Sequence, residues 1–234
     1  MNRIFKIGYF LFFMGFLGSC KKDIDNYDAP NGGITGTVYD SETNEPIPLP
    51  VQGNSGTLVS LFERNTNASV SIDFRAKQDG SFTNSTVFNG DYRVLVDGPF
   101  VGVCEGYVTI KGQTTFDLKA IPFSRISAEA TISDDNKVSV SYSVATADES
   151  FTLNDVSIMW NYAPGVDINT ANYVAKISKG TVSNGTQVFD LLNDKQFVEN
   201  LYKIQANGNK VYVRVAATVN KLVNYSKVIV LVVH

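Results

Sequence analysis

The sequence predicts an all-β protein built as two tandem β-sandwiches. Three observations carry that expectation. After residue 32, apolar and polar residues alternate with a period of two along most of the chain, as half-buried strands require. Gly, Asn, Asp and Pro cluster between these runs, where turns need a positive or a fixed φ. The pattern also restarts after Ile121-Pro122-Phe123, because a proline lacks the ladder donor and interrupts any strand running through it.

Residues 1–31 follow a different logic. Arg3 and Lys6 precede an apolar run from Ile7 to Leu17, and Gly18-Ser19 place small residues before Cys20. Charge, apolar run and small residues are the parts of a secretory signal, here residues 1–19. Leu17-Gly18-Ser19-Cys20 resembles the lipobox of bacterial lipoproteins. The resemblance implies cleavage before Cys20, a diacylglyceryl thioether on its sulfur and acylation of the new amino group. The mature chain would then be an exported protein, lipid-anchored at Cys20. One alternative is a secretory signal with an incidental cysteine. A transmembrane helix is the other, but the uncharged stretch from Ile7 to Cys20 is shorter than the roughly 20 residues a span needs. Residues 20–31 read as a flexible, acidic tether. Asp23, Asp25, Asn26 and Asp28 lack the glycine and closing glutamate of a calcium loop.

Residues 32–120 form the first β unit. Ile34 to Tyr39 is a strand, followed by a turn from Asp40 to Pro46. Thr57 to Glu63 and Val70 to Ala76 are strands, and Asp79-Gly80 is a hairpin signal. Ser81 to Phe88, Tyr92 to Val96, Tyr107 to Ile110 and Thr114 to Leu118 complete the unit, with turns at Asn89-Gly90 and Lys111-Gly112. Gly36-Thr-Val38-Tyr-Asp40, Pro46-Ile47, Asp79-Gly80-Ser-Phe82 and Gly90-Asp-Tyr92-Arg-Val94 are similar to the transthyretin-like, carboxypeptidase-regulatory type of β-sandwich. The proline-rich segment Pro48-Leu49-Pro50-Val51 departs from that pattern. The scaffold recurs with many roles, so the resemblance implies fold rather than activity.

Residues 121–234 form the second unit. Val138, Val140, Tyr142 and Val144 alternate with serines, and Val156, Ile158, Trp160 and Tyr162 with more polar neighbours. Val211, Val213 and Val215 alternate with Tyr212, Arg214 and Ala216. Ser124 to Ser133, Tyr173 to Ile177 and Thr186 to Leu191 add further strands. Val228 to Val233 is apolar at every position and predicts a central or fully covered strand. Phe197, Leu201 and Ile204 have helical spacing, so Asp194 to Ala206 predicts one short helix. The unit resembles an immunoglobulin or fibronectin III sandwich, with Trp160 as its core tryptophan.

The lipobox and both units together are similar to a Bacteroidetes family of uncharacterised two-domain lipoproteins. Asp97-Gly-Pro99-Phe100, Ile121-Pro122-Phe123, Tyr212-Val-Arg214-Val and Asn224-Tyr-Ser226 carry this likeness, while Ala216 stands where the family has glycine. Such proteins are usually encoded beside SusC/SusD-type glycan importers. The resemblance implies an outer-membrane, cell-surface accessory of nutrient capture and no established catalytic residues.

Composition excludes several chemistries. The only histidine, His234, stands at the end of the sequence, so imidazole-based triads and histidine metal sites are not expected. Once Cys20 is lipidated, Cys104 is left without a disulfide partner and reads as a buried small hydrophobe. The net charge of −3 becomes −5 when Arg3 and Lys6 leave with the signal, and no Lys/Arg run points to nucleic acid. No cofactor and no metal are expected. Sugars stack on exposed aromatic rings while polar groups bond their hydroxyls. Phe100 after Gly98-Pro99, Tyr107 after Gly106, and Tyr162 before Ala163-Pro164-Gly165 are therefore the candidate ligand contacts, each also readable as a loop plug. A glycan-binding accessory and a structural adaptor that docks on envelope proteins both fit these facts, and an enzyme fits them worst.

Overall fold

The computed structural model describes residues 29–66 and 69–233. Cys20, the apolar segment before it, most of the tether and His234 lie outside the described residues. The protein is all-β, and its sheets pair into two sandwiches. In the first, β1 (Gly32–Asp40) lies between β4 (Ser81–Val87) on one side and β7 (Gln113–Thr115) and β8 (Leu118–Ala120) on the other. The facing sheet has the order β3-β2-β5-β6, from Ile72–Arg75, Leu58–Glu63, Gly90–Asp97 and Cys104–Ile110. Ile34, Val38, Leu61, Phe82, Tyr92 and Val94 fill the space between them. Gly36 is required there, because a Cβ would stand 1.9 Å from the Phe116 carbonyl oxygen and 2.5 Å from the Phe82 ring.

Two sequence expectations need correction. Asp79-Gly80 and Asn89-Gly90 are turns, but neither closes a hairpin. β3 pairs with β2, β4 with β1 and β5 with β2, so each turn carries the chain across the sandwich. The strand expected from Thr114 to Leu118 is two short strands, β7 and β8, both parallel to β1. Between them the Phe116 N–H donates to the Thr35 carbonyl, and Asp117 accepts from the Thr37 N–H at 2.9 Å.

The second sandwich pairs a three-stranded with a five-stranded sheet. The first has the order β13-β10-β9, from Asn184–Asp190, Lys137–Thr146 and Ser124–Ile132. The second runs β12-β11-β14-β15, from Ala175–Ser178, Leu153–Asn161, Lys210–Val219 and Leu222–Tyr225. β16 (Ile229–Val232) also pairs with β14. Helix α1 (Lys195–Ala206) starts at Asp194, whose carboxylate accepts from the Gln196 and Phe197 N–H groups. It buries Phe197 and Ile204 against the core around Trp160, Val140 and Val213.

β16 is the third correction. Among the described residues it pairs with β14 alone, and Val230 and Val232 are half exposed. Arg214 and Ala216, on the outer face of this sheet, are covered. Val230 stands opposite Tyr212, the last covered residue of that face, and Val232 opposite Lys210, which is exposed.

Candidate functional site

The residues that carried the family likeness meet at the junction of the sandwiches. Asn224 accepts from the Ser124 N–H at 3.0 Å and donates to the Pro99 carbonyl at 3.1 Å. Phe100 bridges to Pro122, and the Val101 N–H donates to the Ile121 carbonyl at 2.7 Å. Arg214 is the centre of the contact. It is fully buried, and its guanidinium lies 4.5 Å from the centre of the Tyr225 ring. It donates to four carbonyls: Ser226 and Val166 of its own sandwich, Leu49 and Gln78 of the other. Burial lowers its pKa to about 10, so it stays charged at neutral pH. The unexpected segment Pro48-Leu49-Pro50-Val51 is thus the part of the first sandwich that docks. Asp167 secures it further by accepting from the Val51 N–H at 2.9 Å.

Two clefts flank Tyr225 at this junction. One, of about 640 Å³, runs past Asn54, Ser55, Arg75, Asp97, Asp167 and Asn169. Arg75, Asp167, Asn169 and Ser55 brace the structure. Arg75 donates to the Gly56 carbonyl, Asp167 accepts from Val51, Asn169 and Asn172, and Asn169 donates to Ser55. The other, of about 570 Å³, contains a bidentate ion pair. Arg125 Nε lies 2.6 Å from Asp40 Oδ2, and Nη2 2.8 Å from Oδ1. Burial raises the Asp40 pKa, but the bonds from Arg125 and the Glu42 N–H outweigh it, and the pKa is lowered.

The three aromatic candidates do not converge. Phe100 is buried in the first core, and its ring folds back over Gly98, where a Cβ would meet it at 2.5 Å. Tyr107 is exposed on β6, an edge strand, with the Arg64 guanidinium 5.0 Å from its ring centre. Tyr162 follows β11 and faces α1. The Lys203 ammonium sits 4.7 Å from the Tyr162 ring centre and 5.6 Å from that of Tyr202. It donates to the Tyr162 hydroxyl at 3.3 Å and to Asn200 Oδ1 at 2.9 Å. The Tyr162 hydroxyl holds its pKa above the ordinary lysine value. Asn207 fixes the loop by donating to the Tyr162 carbonyl at 2.8 Å. Tyr202 is 66% exposed. The result is a surface of one exposed and one half-buried tyrosine ring, one ammonium and an amide.

Tyr202, Lys203 and Asn200 are the residues of this surface that the sequence pattern does not single out. The helical spacing of Phe197, Leu201 and Ile204 draws attention to the apolar stripe of α1, of which Phe197 and Ile204 are buried and Leu201 is exposed. An aromatic ring on the polar face of an amphipathic helix is the signal that marks Tyr202. Cys104 is buried, and burial pushes its thiol up to about 12, so it is not a poised nucleophile. Among the described residues, no three His, Cys, Asp or Glu side chains are grouped to hold a metal ion.

Known proteins share this fold. Residues 32–121 match the family model described as the N-terminal domain of DUF3823, a protein of unknown function. No curated protein matches the chain. Among solved structures, a DUF3823 family protein from Parabacteroides merdae is 20% identical and superposes with a TM-score of 0.72, covering 87% of this chain and 100% of its own. A DUF3823 family protein from Bacteroides uniformis is 20% identical with a TM-score of 0.67, covering 88% of this chain and 100% of its own. A second Bacteroides uniformis protein, whose suggested role is carbohydrate binding, is 18% identical with a TM-score of 0.68, covering 87% of this chain and 100% of its own. At these identities the likeness is one of fold, and it spans both sandwiches.

Proposed function

We propose that this protein is a non-catalytic glycan-binding accessory, lipid-anchored at Cys20 on the outer membrane and serving a SusC/SusD-type polysaccharide importer. The observation that carries the reading is the Tyr162–Lys203–Tyr202 surface, in which Tyr202 is exposed and Tyr162 and Lys203 are half-buried. A pyranose has an apolar face that stacks on a tyrosine ring, and hydroxyls that an ammonium and an amide can bond. Lys203 is placed beside both rings and bonded to Asn200, which presets the group for such a ligand. Support also comes from the shared fold with the Bacteroides uniformis protein of suggested carbohydrate-binding role. The lipobox and the glycan-importer neighbourhood come from the sequence resemblance.

Affinity electrophoresis against soluble starch, xylan, mannan and mixed-linkage glucan tests the binding. Retardation by one of these should weaken about 3- to 10-fold in Tyr202→Ala, because an aromatic stacking contact contributes roughly 0.5–1.5 kcal/mol. Equal retardation of wild type and variant removes the platform. No retardation by any glycan, together with co-purification of a SusC/SusD-like pair, assigns the docking-adaptor role instead. The anchor has its own test. Cys20→Ala should abolish incorporation of a palmitate analogue, and equal labelling of wild type and variant rules lipidation at Cys20 out.

A further inference from the structure

We propose that the cleft beside the Asp40–Arg125 pair is a second carbohydrate subsite, taking the neutral, hydroxyl-bearing end of a glycan chain. The proposal rests on the glycan-binding reading above but concerns a different surface. The cleft lies between the two sandwiches, a common location for ligand sites, and its volume of about 570 Å³ falls within the ~300–1,000 Å³ of small-molecule pockets. Its shape is set in advance. The buried Arg214 ties the two walls together through the Leu49, Gln78, Val166 and Ser226 carbonyls. A preformed cleft loses little ordering entropy on binding.

The wall chemistry selects the ligand. Pro46, Ile47, Pro122 and Ile126 give apolar surface for the face of a sugar ring, and Ser127 and Ser143 place hydroxyls beside it. Every charge lining the cleft is already matched across the junction. Arg125 holds Asp40, and Lys227 holds Glu45 at 2.8 Å. A charged ligand would have to displace one of these partners. A neutral polyol need not, because it carries no charge that competes with Arg125 for Asp40 or with Lys227 for Glu45. The Nη1 edge of Arg125 makes no hydrogen bond among the described residues. A sugar hydroxyl both donates and accepts, so neighbouring hydroxyls can accept from the Arg125 guanidinium and bond the Ser127 and Ser143 hydroxyls beside it.

Ser124 adds an independent observation. It lines the same cleft, is 3% exposed, and its hydroxyl has no hydrogen-bond partner among the described residues. A buried hydroxyl without a partner is costly and calls for an explanation. The Ser124 Oγ has essentially no accessible surface, so a ligand hydroxyl reaches it only if the side chain turns toward the cleft. The larger cleft on the other side of Tyr225 lacks this character, because its Arg75, Asp167 and Asn169 are engaged in bracing bonds.

Amide NMR of the isotope-labelled full chain in detergent separates the two surfaces. The probes are malto-, cello-, xylo- and mannotetraose, with tetragalacturonate as the charged comparison. We expect saturable shifts at Ser124, Arg125, Ser127 and Ser143 with at least one neutral tetraose. Ser143→Phe, at an exposed strand position, should fill the cleft and weaken that binding at least 10-fold. Tyr202→Ala should leave the cleft shifts in place. Shifts confined to Tyr202 and Lys203 overturn the cleft proposal and leave the glycan-binding reading intact. Cleft shifts without platform shifts support the cleft and remove the platform. Cleft shifts that Ser143→Phe does not weaken, or equal binding of tetragalacturonate, overturn the proposal. No shift with any probe overturns both.

Discussion

Arg214→Ala is expected to cost about 3–5 kcal/mol, a large share of the roughly 5–15 kcal/mol that holds a folded domain together. The guanidinium serves four carbonyls, and alanine leaves all four without it. Hydrogen bonds from a charged donor contribute about 1.5–3 kcal/mol each, and a buried acceptor left without a partner costs about 1–3 kcal/mol. Against this stands the cost of burying the cation. That cost is visible in a pKa lowered by burial to about 10, and alanine relieves it. The net loss is therefore well below the sum of the four bonds. Two further variants sharpen the expectation. Arg214→Met keeps packing volume against Tyr225 and should lose less than alanine. Arg214→Lys keeps the charge but not the planar fork that reaches carbonyls in three directions through Nε, Nη1 and Nη2, so it should not restore wild-type stability. Urea unfolding followed by circular dichroism gives the numbers. A loss under about 1 kcal/mol for Arg214→Ala would show that the junction is held by other contacts.

Arg214 also shows where sequence reasoning reaches its limit. Its alternation with Val213 and Val215 places it on the outward, polar face of a strand, and the strand and the face are both as expected. What buries it is Leu49, 165 positions away in the chain. Period-two patterning reports which face a side chain takes, not what later covers that face. The same limit explains β16. Val228 to Val233 is apolar throughout, and the expectation of a covered strand follows from composition. The first sandwich and the loop after β11 cover the sheet around Arg214 but do not reach Val230 and Val232. Turn chemistry behaves alike. Asp79-Gly80 was legible as a turn from the residue pair, and Gly80 does adopt φ +88°. Which strands the turn joins depends on pairing with β1 and β2, far away in sequence.

The candidate site was legible in part. Tyr162 stood out because a proline and a glycine follow it, and the structure sets it beside a lysine and a second tyrosine. Phe100 stood out for the glycine and proline that precede it. There Gly98 leaves room for the ring to fold back into the core, a close approach that no local pattern reveals. The clefts at the junction were not legible at all, because their walls come from both sandwiches. The residues that carry the family likeness did point there. Pro99, Ile121, Arg214 and Asn224 form the contact that shapes both clefts.

Trp160→Ala should destabilise the second sandwich by about 3–5 kcal/mol, the range for removing a large buried ring. Trp160 is 1% exposed and packs between the two sheets, with the Phe197 ring edge-on at a centroid distance of 6.0 Å. Alanine would therefore remove contacts to a strand core and to the helix together. The indole N–H refines the expectation, since it is buried without a hydrogen-bond partner among the described residues. Phenylalanine keeps an aromatic ring against Phe197 and deletes that unsatisfied donor, so Trp160→Phe should cost distinctly less than alanine. This is the only tryptophan in the chain, so emission reports on a single site. The folded protein should show blue-shifted fluorescence that acrylamide quenches poorly, and unfolding should move it to the red. A red-shifted, easily quenched signal in the folded protein would place the ring at the surface and return it to the sugar-stacking candidates. A cost under about 1 kcal/mol for alanine would mean that the sheets and α1 close over the vacated space, contrary to the close packing of protein interiors.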